Sequence, residues 1–375
     1  MWSRSAFLSA SAMGVPFAFS GCAKKPGTGF PGYAFVANSG GRAVAAVDLN
    51  AFAVKKHVGL DASPSQIAAP VRKSVVYALT PETGSVHEIR TDTLAVSRKV
   101  TVGAQADAMQ LAFDEGSLWV LSAAAKKLVR VNLDSFKVDS LIALPATPTG
   151  FHAAANGMSA AVSFGDDGFA LADLVERRCG QMINGGGKIG QVRFRLGSKA
   201  VIAANLDRRL ISLYEAPSGR LIVHLPLTVR PDRFCFNADG GQLFVTGEGS
   251  DAVVVVYPFQ TEVAGTLLVG RAPGEMAATS TPAYLFVASP KSGDVSVLNI
   301  DTQRLVAAVS VGTEPCYIAI TPGDELALVL NKTSGDMAVL RVGAIAAKRG
   351  KSTPPPLFTM IPVGSAPTCA VIRAV

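Results

Sequence analysis

The stretch from Tyr284 to Ile320 decides the fold of this chain. It reads YLFVAS (Tyr284–Ser289), DVSVLNI (Asp294–Ile300), LVAAVSV (Leu305–Val311) and YIAI (Tyr317–Ile320), with turn residues between the runs. The second run alternates apolar and polar residues, which is the period of a β-strand. A strand needs about five or six residues and a tight turn two to five. Four strands therefore fill the unit, and a helix of ordinary length has no room.

The same unit recurs eight times along the 375 residues. Its first run begins at Phe35, Tyr77, Trp119, Ala161, Ile202, Phe244, Phe286 and Leu328, so successive spacings are 42, 42, 42, 41, 42, 42 and 42. Four strands in about 42 residues is the sequence form of a β-propeller blade. We predict an all-β, eight-bladed propeller over residues 33–375. Seven blades remain the alternative if the degenerate unit around Arg177–Cys179 and Gly185–Gly187 is incomplete.

The two ends of the repeat region predict how the ring closes. The region starts at Tyr33–Asn38 and ends at Cys369–Ile372. The resemblance to a repeat family, described in the next paragraph, implies that the first run is the second strand of a blade and the last run an innermost strand. The C-terminal strand should therefore pair with the N-terminal blade. That pairing leaves no free inner edge.

The unit resembles a known family. The segments YLFVA from Tyr284, DVSVLNIDT from Asp294 and VGTEPCYIA from Val311 are similar to the YVTN-type β-propeller repeat, and the resemblance covers residues 33–375. It implies a propeller of four antiparallel strands per blade. It says little about activity, because the family consists mostly of structural and binding modules.

Residues 1–21 have the pattern of an export signal. Arg4 precedes an apolar stretch from Ala6 to Phe19, and Ser20-Gly21-Cys22 follows. This ending resembles a bacterial lipobox, in which the cysteine becomes the acylated first residue, although Phe19 departs from the usual Leu. We expect a lipid on Cys22, a tether over residues 22–32, and a location in the cell envelope facing the periplasm or at the outer membrane. An ordinary export signal is the alternative.

The composition excludes several classes of function. The 35 basic residues give a net charge of +7, but they are scattered, whereas a nucleic-acid binder concentrates them in a patch. No internal run of about 18 apolar residues predicts a membrane span. The remaining cysteines form no C-x-x-C pair, and we expect them to be buried and unreactive; they are Cys179, Cys235, Cys316 and Cys369.

Signatures of cofactors and enzymes are missing from the sequence. There is no G-x-S-x-G, H-E-x-x-H or P-loop motif. Four scattered histidines and one tryptophan after the signal favour neither haem nor zinc nor a quinone, and no carboxylate cluster favours calcium. We predict no cofactor and no metal site. The insertion Gly343–Pro356 is read as a solvated loop, with a contact to anionic lipid or to a partner as the alternative.

The innermost strands offer one candidate site. Four residues after the Val-Gly-x-x-Pro proline, the eight units carry Ala68, Gln110, His152, Arg193, Cys235, Ala277, Ala319 and Val371. Two residues earlier on the same strand face, the chain carries Gln66, Arg233, Glu275 and Tyr317 among others. Placing Arg193 in this series requires Ile189 at the proline position. We predict a polar arc on one side of the channel, where Arg193 and His152 hold an anion; packing around a wet channel is the alternative.

Two classes of function follow from these observations. The first is an envelope-anchored propeller that binds a protein or a small ligand, held to the membrane by its N-terminal lipid. The second is an enzyme with its site in the central channel, such as a lactonase- or dehydrogenase-like propeller, with His152 as a general base. The missing cofactor signatures and the lack of a second catalytic group favour the binding module.

Overall fold

A computed structural model describes residues 29–345 and 354–374 of the chain. These residues form eight four-stranded antiparallel sheets arranged in a ring. The predicted eight-bladed propeller is therefore confirmed. The predicted signal, Cys22 and the first part of the tether lie outside the described residues, as does most of the basic insertion.

The first four blades follow the repeat. Blade 1 contains β1 (Gly32–Asn38), β2 (Ala43–Asp48) and β3 (Ala53–Gly59). Blade 2 contains β4 (Gln66–Ala68), β5 (Val75–Thr80), β6 (Ser85–Arg90) and β7 (Ala95–Thr101). Blade 3 contains β8 (Ala106–Leu111), β9 (Ser117–Ser122), β10 (Lys127–Asn132) and β11 (Lys137–Ala143). Blade 4 contains β12 (Gly150–Ala153), β13 (Ser159–Ser163), β14 (Phe169–Asp173) and β15 (Arg178–Ile183). The degenerate unit is thus a complete contributor to the ring.

The other four blades have the same order. Blade 5 contains β16 (Ile189–Phe194), β17 (Ala200–Asn205), β18 (Leu210–Glu215) and β19 (Leu221–Pro226). Blade 6 contains β20 (Arg230–Phe236), β21 (Leu243–Glu248), β22 (Ala252–Tyr257) and β23 (Glu262–Leu268). Blade 7 contains β24 (Met276–Ala278), β25 (Tyr284–Ser289), β26 (Asp294–Asn299) and β27 (Arg304–Ser310). Blade 8 contains β28 (Pro315–Ile320), β29 (Leu326–Asn331), β30 (Asp336–Arg341) and β31 (Leu357–Pro362), with a short 3₁₀ turn at Val342–Ala344.

The C-terminal strand closes the ring. Strand β32 (Pro367–Ala374) pairs antiparallel with β1, with Ile372 opposite Ala34 and Ala370 opposite Val36. It supplies the innermost strand of blade 1, whose order is β3-β2-β1-β32. The closure predicted from the two ends of the repeat region is confirmed.

Burial follows the position of a strand within its blade. The second and third strands carry β-branched and aromatic residues that are almost completely buried, as in β25 and β22. The fourth strands are largely exposed, as in β27. The core consequently lies between neighbouring blades, in apolar clusters made by facing sheets. The largest of these clusters joins blades 8, 1 and 2 across the closing strand.

Polar residues at the ends of second strands join consecutive blades. Asn38 donates its side-chain N–H to the Val363 carbonyl at 2.6 Å, and Asn205 donates to the Gly185 carbonyl at 2.8 Å. Each carbonyl lies in the loop that leaves the outer strand of the preceding blade. A buried amide of this kind is stabilising because its partner is also removed from water.

The turn before the fourth strand has a common form in blades 1, 3, 4 and 7. An Asp or Asn at the end of the third strand accepts backbone N–H groups of the turn, as Asp48 does from Ala51 at 3.1 Å and Asn299 from Thr302 at 2.7 Å. The residue that precedes the fourth strand then has a positive φ, 52° at Phe52 and 52° at Gln303. The four-residue hairpin loop is followed by a bulge in the fourth strand.

Removing the closing strand should destabilise the whole ring. A chain that ends at Ser365 loses β32 and exposes the inner edge of β1, so we expect a loss of several kcal/mol out of the ~5–15 kcal/mol typical of a folded domain. Thermal unfolding followed by circular dichroism measures the effect. A chain that lacks only Val375 is the control, and an unchanged melting temperature without β32 would contradict the closure argument.

Candidate functional site

The predicted arc occupies equivalent positions on four consecutive inner strands. Each of its residues lies opposite the first residue of the adjoining repeat core: Gln110 opposite Trp119, His152 opposite Ala161, Arg193 opposite Ile202 and Cys235 opposite Phe244. The register therefore supports the alignment that placed Ile189 at the proline position. The other four inner strands carry small or aliphatic residues at the same register; they are Ala68, Ala277, Ala319 and Val371.

Gln110 connects two neighbouring inner strands. Its side-chain oxygen accepts from the Ala153 N–H at 2.8 Å, and its side-chain N–H donates to the Ala153 carbonyl at 3.2 Å. Gln66 makes a similar bridge one blade earlier, because its oxygen accepts from the Met109 N–H at 2.6 Å. The side-chain amides of Gln66 and Gln110 thus hydrogen-bond to the backbone of the next blade, where the inner strands do not pair with each other. These hydrogen bonds between blades explain why the two residues are polar, without a bound ligand.

His152 is only 4% exposed and also bridges two blades. Its Nδ1 accepts from the Phe194 backbone N–H at 3.3 Å, so the ring proton lies on Nε2. Burial, followed by the charge of Arg193, holds the pKa of His152 well below its usual value, and the ring is neutral near pH 7. The Nε2 atom is buried and has no hydrogen-bond partner among the residues that the structure describes. The imidazole therefore presents an unpartnered donor.

Arg193 lies one blade further along the ring and is half-buried. Within residues 29–345 and 354–374, its guanidinium has no hydrogen-bond or ion-pair partner. Burial lowers the pKa of Arg193 from its usual value, and the Glu275 carboxylate opposes that shift without reaching it as an ion pair. A half-buried guanidinium with no carboxylate partner keeps its donors available, and an anion could accept from them.

Three further predicted residues lie on or beside the inner strands of blades 6, 7 and 8. Arg233 and Glu275 form an ion pair with Nε and Oε1 2.6 Å apart, and Arg233 also donates to Asp232 at 2.8 Å. Tyr317 is buried on the inner strand of blade 8, where burial raises the pKa of its hydroxyl well above the usual value. After burial, the Glu275 carboxylate is the largest influence on the pKa of Arg193, so the two side chains lie close enough to interact.

Cys235 is a thiol with little reactivity. Burial raises its pKa to about 11, and its Sγ contacts the Phe236 carbonyl at 3.6 Å. Cys179, Cys235 and Cys316 are half-buried and Cys369 is buried, and all four are free. The expectation that the cysteines are fully buried holds for Cys369 alone. Because the thiolate is the nucleophile, the raised pKa values of all four favour the unreactive form.

The arrangement of His152 and Arg193 is suited to binding. Both side chains offer donors, and neither offers an acceptor, because Nδ1 of His152 is occupied and Nε2 carries the proton. A general base needs a free acceptor nitrogen, so this tautomer does not support that role for His152.

Across the described ranges, no group of three or more His, Cys, Asp or Glu side chains is placed to hold a metal ion. No helix in those ranges has the length and apolar character needed to cross a bilayer.

A second buried histidine was not singled out by the sequence. His87 is 3% exposed and its Nε2 lies 3.0 Å from Asp61 Oδ1 and 3.1 Å from the Thr80 hydroxyl. Lys99 pairs with the other Asp61 oxygen at 2.5 Å. Asp61 lies in the loop between blades 1 and 2, so the cluster fastens that loop to blade 2. Only the three-dimensional neighbourhood of Asp61 identifies it, since the four residues share no sequence spacing.

Comparisons with known proteins were made on sequence and on structure. No protein-family model and no curated protein sequence matches the chain. Among solved structures, dihydro-heme d1 dehydrogenase NirN in complex with DHE superposes with a TM-score of 0.77 at 12% identity, over 91% of this chain and 75% of that one. Apo AztD from Citrobacter koseri gives 0.69 at 13% identity, over 92% and 98%. Kuenenia stuttgartiensis hydrazine synthase gives 0.59 at 18% identity, over 74% and 95%.

The shared feature is the propeller. Identities this low show the fold alone, and they do not carry the activities of those proteins over to this chain. Membership of the YVTN-type family stays a prediction, while the β-propeller that the resemblance implied is confirmed.

The buried state of His152 should make stability depend on pH. Its pKa is lowered in the folded protein, so the unfolded chain binds more protons below about pH 6.5, and stability should fall as the pH falls through that range. Replacing His152 with Gln should flatten the dependence of the melting temperature between pH 7.5 and 5. His87 has a lowered pKa as well and contributes equally to both proteins. Identical slopes for the two proteins would show that His152 is not held neutral.

Proposed function

We propose that this protein is an envelope-anchored β-propeller that binds a small anionic ligand inside the ring. The observation that carries the proposal is the pair of unpartnered donors on adjacent inner strands: the buried Nε2–H of His152 and the guanidinium of Arg193. The anchor is the lipid expected on Cys22.

The energetics favour a bound anion at this position. An unsatisfied buried donor costs about 1–3 kcal/mol, and a charged one costs more. A carboxylate or phosphate would accept from both donors, and the planar guanidinium suits the two oxygens of either group. Glu275 does not fill this place, because it is paired with Arg233. The ligand would therefore contact the side of Arg193 that faces His152.

A binding role also agrees with one structural neighbour. NirN, which superposes on 91% of this chain, was solved in complex with DHE. This likeness supports a ligand site as a class of function. The chemistry of the ligand proposed here rests on His152 and Arg193.

Replacing Arg193 with Ala should weaken anion binding and leave the fold intact. Removal of a charge-assisted hydrogen bond costs about 1.5–3 kcal/mol, which corresponds to a roughly 10- to 100-fold higher Kd. Isothermal titration with inorganic phosphate and with succinate, followed by thermal unfolding, measures both effects. Arg178→Ala on the exposed outer strand β15 is the matched control. A lower melting temperature with unchanged anion affinity would instead assign Arg193 to packing.

The anchor has its own test. Mass spectrometry of the protein isolated from the membrane fraction should find an acylated Cys22 at the mature N-terminus, and Cys22→Ala should abolish the modification. An unmodified N-terminus beyond residue 22 would contradict the anchor without affecting the ligand site.

A further inference from the structure

The apolar surface of the ring is unequal at its two ends. Of the 17 large hydrophobic side chains that are exposed among the described residues, 11 lie on fourth strands at the outer rim. The remaining six lie in turns; they are Val71, Phe113, Met158, Val175, Leu196 and Phe259.

All six turns lie at the same end. Each connects a first strand to a second strand or a third strand to a fourth, and in an antiparallel blade these two kinds of turn share one end. Val71, Phe113, Met158 and Leu196 occupy the first-to-second turns of blades 2, 3, 4 and 5 in succession. None of the exposed large hydrophobic side chains in the described ranges lies in a turn at the opposite end.

The chain also enters the ring at this end. Strand β1 takes the second position of blade 1, so its first residue lies where the first-to-second turns lie. Gly29, the first residue described, lies three residues before the start of β1. We call this end, defined by the six apolar residues and Gly29, the entry face. Arg373 beside the chain entry donates to the Val71 carbonyl at 2.7 Å, which places the first apolar turn next to Gly32 and β32.

A cleft opens on the entry face between blades 3 and 4. It has a volume of about 380 Å³, and Phe113 and Val175 are among its lining residues. Their side chains are 68% and 62% exposed, among the highest values for any large apolar residue described. Arg177 also lines the cleft, and it makes no ion pair with a described residue. Apolar side chains beside an unpaired guanidinium match the boundary between acyl chains and phosphate headgroups.

We propose that the entry face rests on the surface of a phospholipid bilayer, with Phe113 and Val175 inserted at the headgroup boundary and Arg177 on lipid phosphate. The chain that precedes the face supports this occupant over a protein. Cys22 is seven residues before Gly29, and seven residues span at most about 25 Å. A lipid on Cys22 would hold this end of the ring close to the membrane. One acyl anchor is commonly supplemented by a second contact of this kind.

Vesicle binding by a chain that has no acyl group tests the proposal. All strands and the closing pair lie between Gly32 and Ala374, so a chain that starts at residue 23 keeps the whole ring. We expect it to float with vesicles of phosphatidylethanolamine and phosphatidylglycerol. Phe113→Ser combined with Val175→Ser should lower the partition coefficient at least tenfold at an unchanged melting temperature.

The matched control is Leu221→Ser combined with Ile222→Ser on the outer strand β19, where the side chains are 42% and 45% exposed. This variant should bind vesicles as the unmodified sequence does. Absence of vesicle binding by the unmodified sequence, or an equal loss in both variants, would overturn the proposal. So would a protein ligand that needs Phe113 and Val175 while vesicles are ignored.

Hydrogen exchange on the intact acylated protein provides a second measurement. Attachment to vesicles should slow exchange in the turns at residues 112–116 and 174–177 and leave the opposite turns at residues 81–84 and 123–126 unchanged. Protection of the opposite turns would show that the other end faces the membrane. The proposal rests on the proposed anchor only for its choice of occupant. The unacylated chain tests the surface without the lipid on Cys22 and without a channel ligand, so its failure leaves both of those open.

Discussion

The antiparallel pairing of β32 with β1 is the interaction on which the rest of the molecule depends. Eight repeats of one sequence unit form a ring only if the last strand completes the first blade. The largest apolar cluster crosses this junction and joins blades 8, 1 and 2. Closure also fixes the distance of every inner strand from the axis. The side chains that meet inside the ring are therefore positioned by a contact between the two ends of the chain.

Closure creates two environments for polar groups near the axis. Neighbouring inner strands do not pair with each other directly. The side chains of Gln66 and Gln110 instead form hydrogen bonds with the backbone of the next blade. His152 does the same with Nδ1 but keeps Nε2–H unused, and Arg193 has no such bond with a described residue. In His152 a single side chain therefore has one nitrogen that joins two blades and another that can donate to a ligand. His152 and Arg193 thus differ from Gln110 in having donors without a partner among the described residues, although all three residues occupy the same register on their strands.

The fold could be predicted from the sequence because its information is periodic. A spacing of about 42 residues, runs of β-branched residues and turn residues at fixed offsets specify a blade, and the strand types at the two ends specify closure. The same period placed Arg193 correctly on its strand even where Gly185–Gly187 replace the usual turn. The hydrogen-bond partner of each polar side chain could not be predicted, because the partners lie on the next blade. Gln110 accepts from the Ala153 N–H, and His152 accepts from the Phe194 N–H. The His87 cluster is a similar case, because its partners come from a loop and two strands.

The exposed apolar turns illustrate a further limit of sequence patterns. Val71, Phe113 and Leu196 are isolated hydrophobic residues in otherwise polar turns, which is unremarkable in a linear sequence. The alternation of strand direction brings them to one end of the ring. Their common location depends on the topology of the sheet, and the entry of the chain at the same end is a consequence of the same alternation.

The closing strand also sets the order of events during synthesis. Strand β1 is made early, whereas its inner partner consists of residues 367–374 at the other end of the chain. At about 5–20 residues per second, the interval between them lasts on the order of tens of seconds. During that time the inner edge of β1 is an unpaired strand edge, which is a template for pairing with other chains. Blade 1 therefore cannot have four strands, and the ring cannot close, until residues 367–374 have been made.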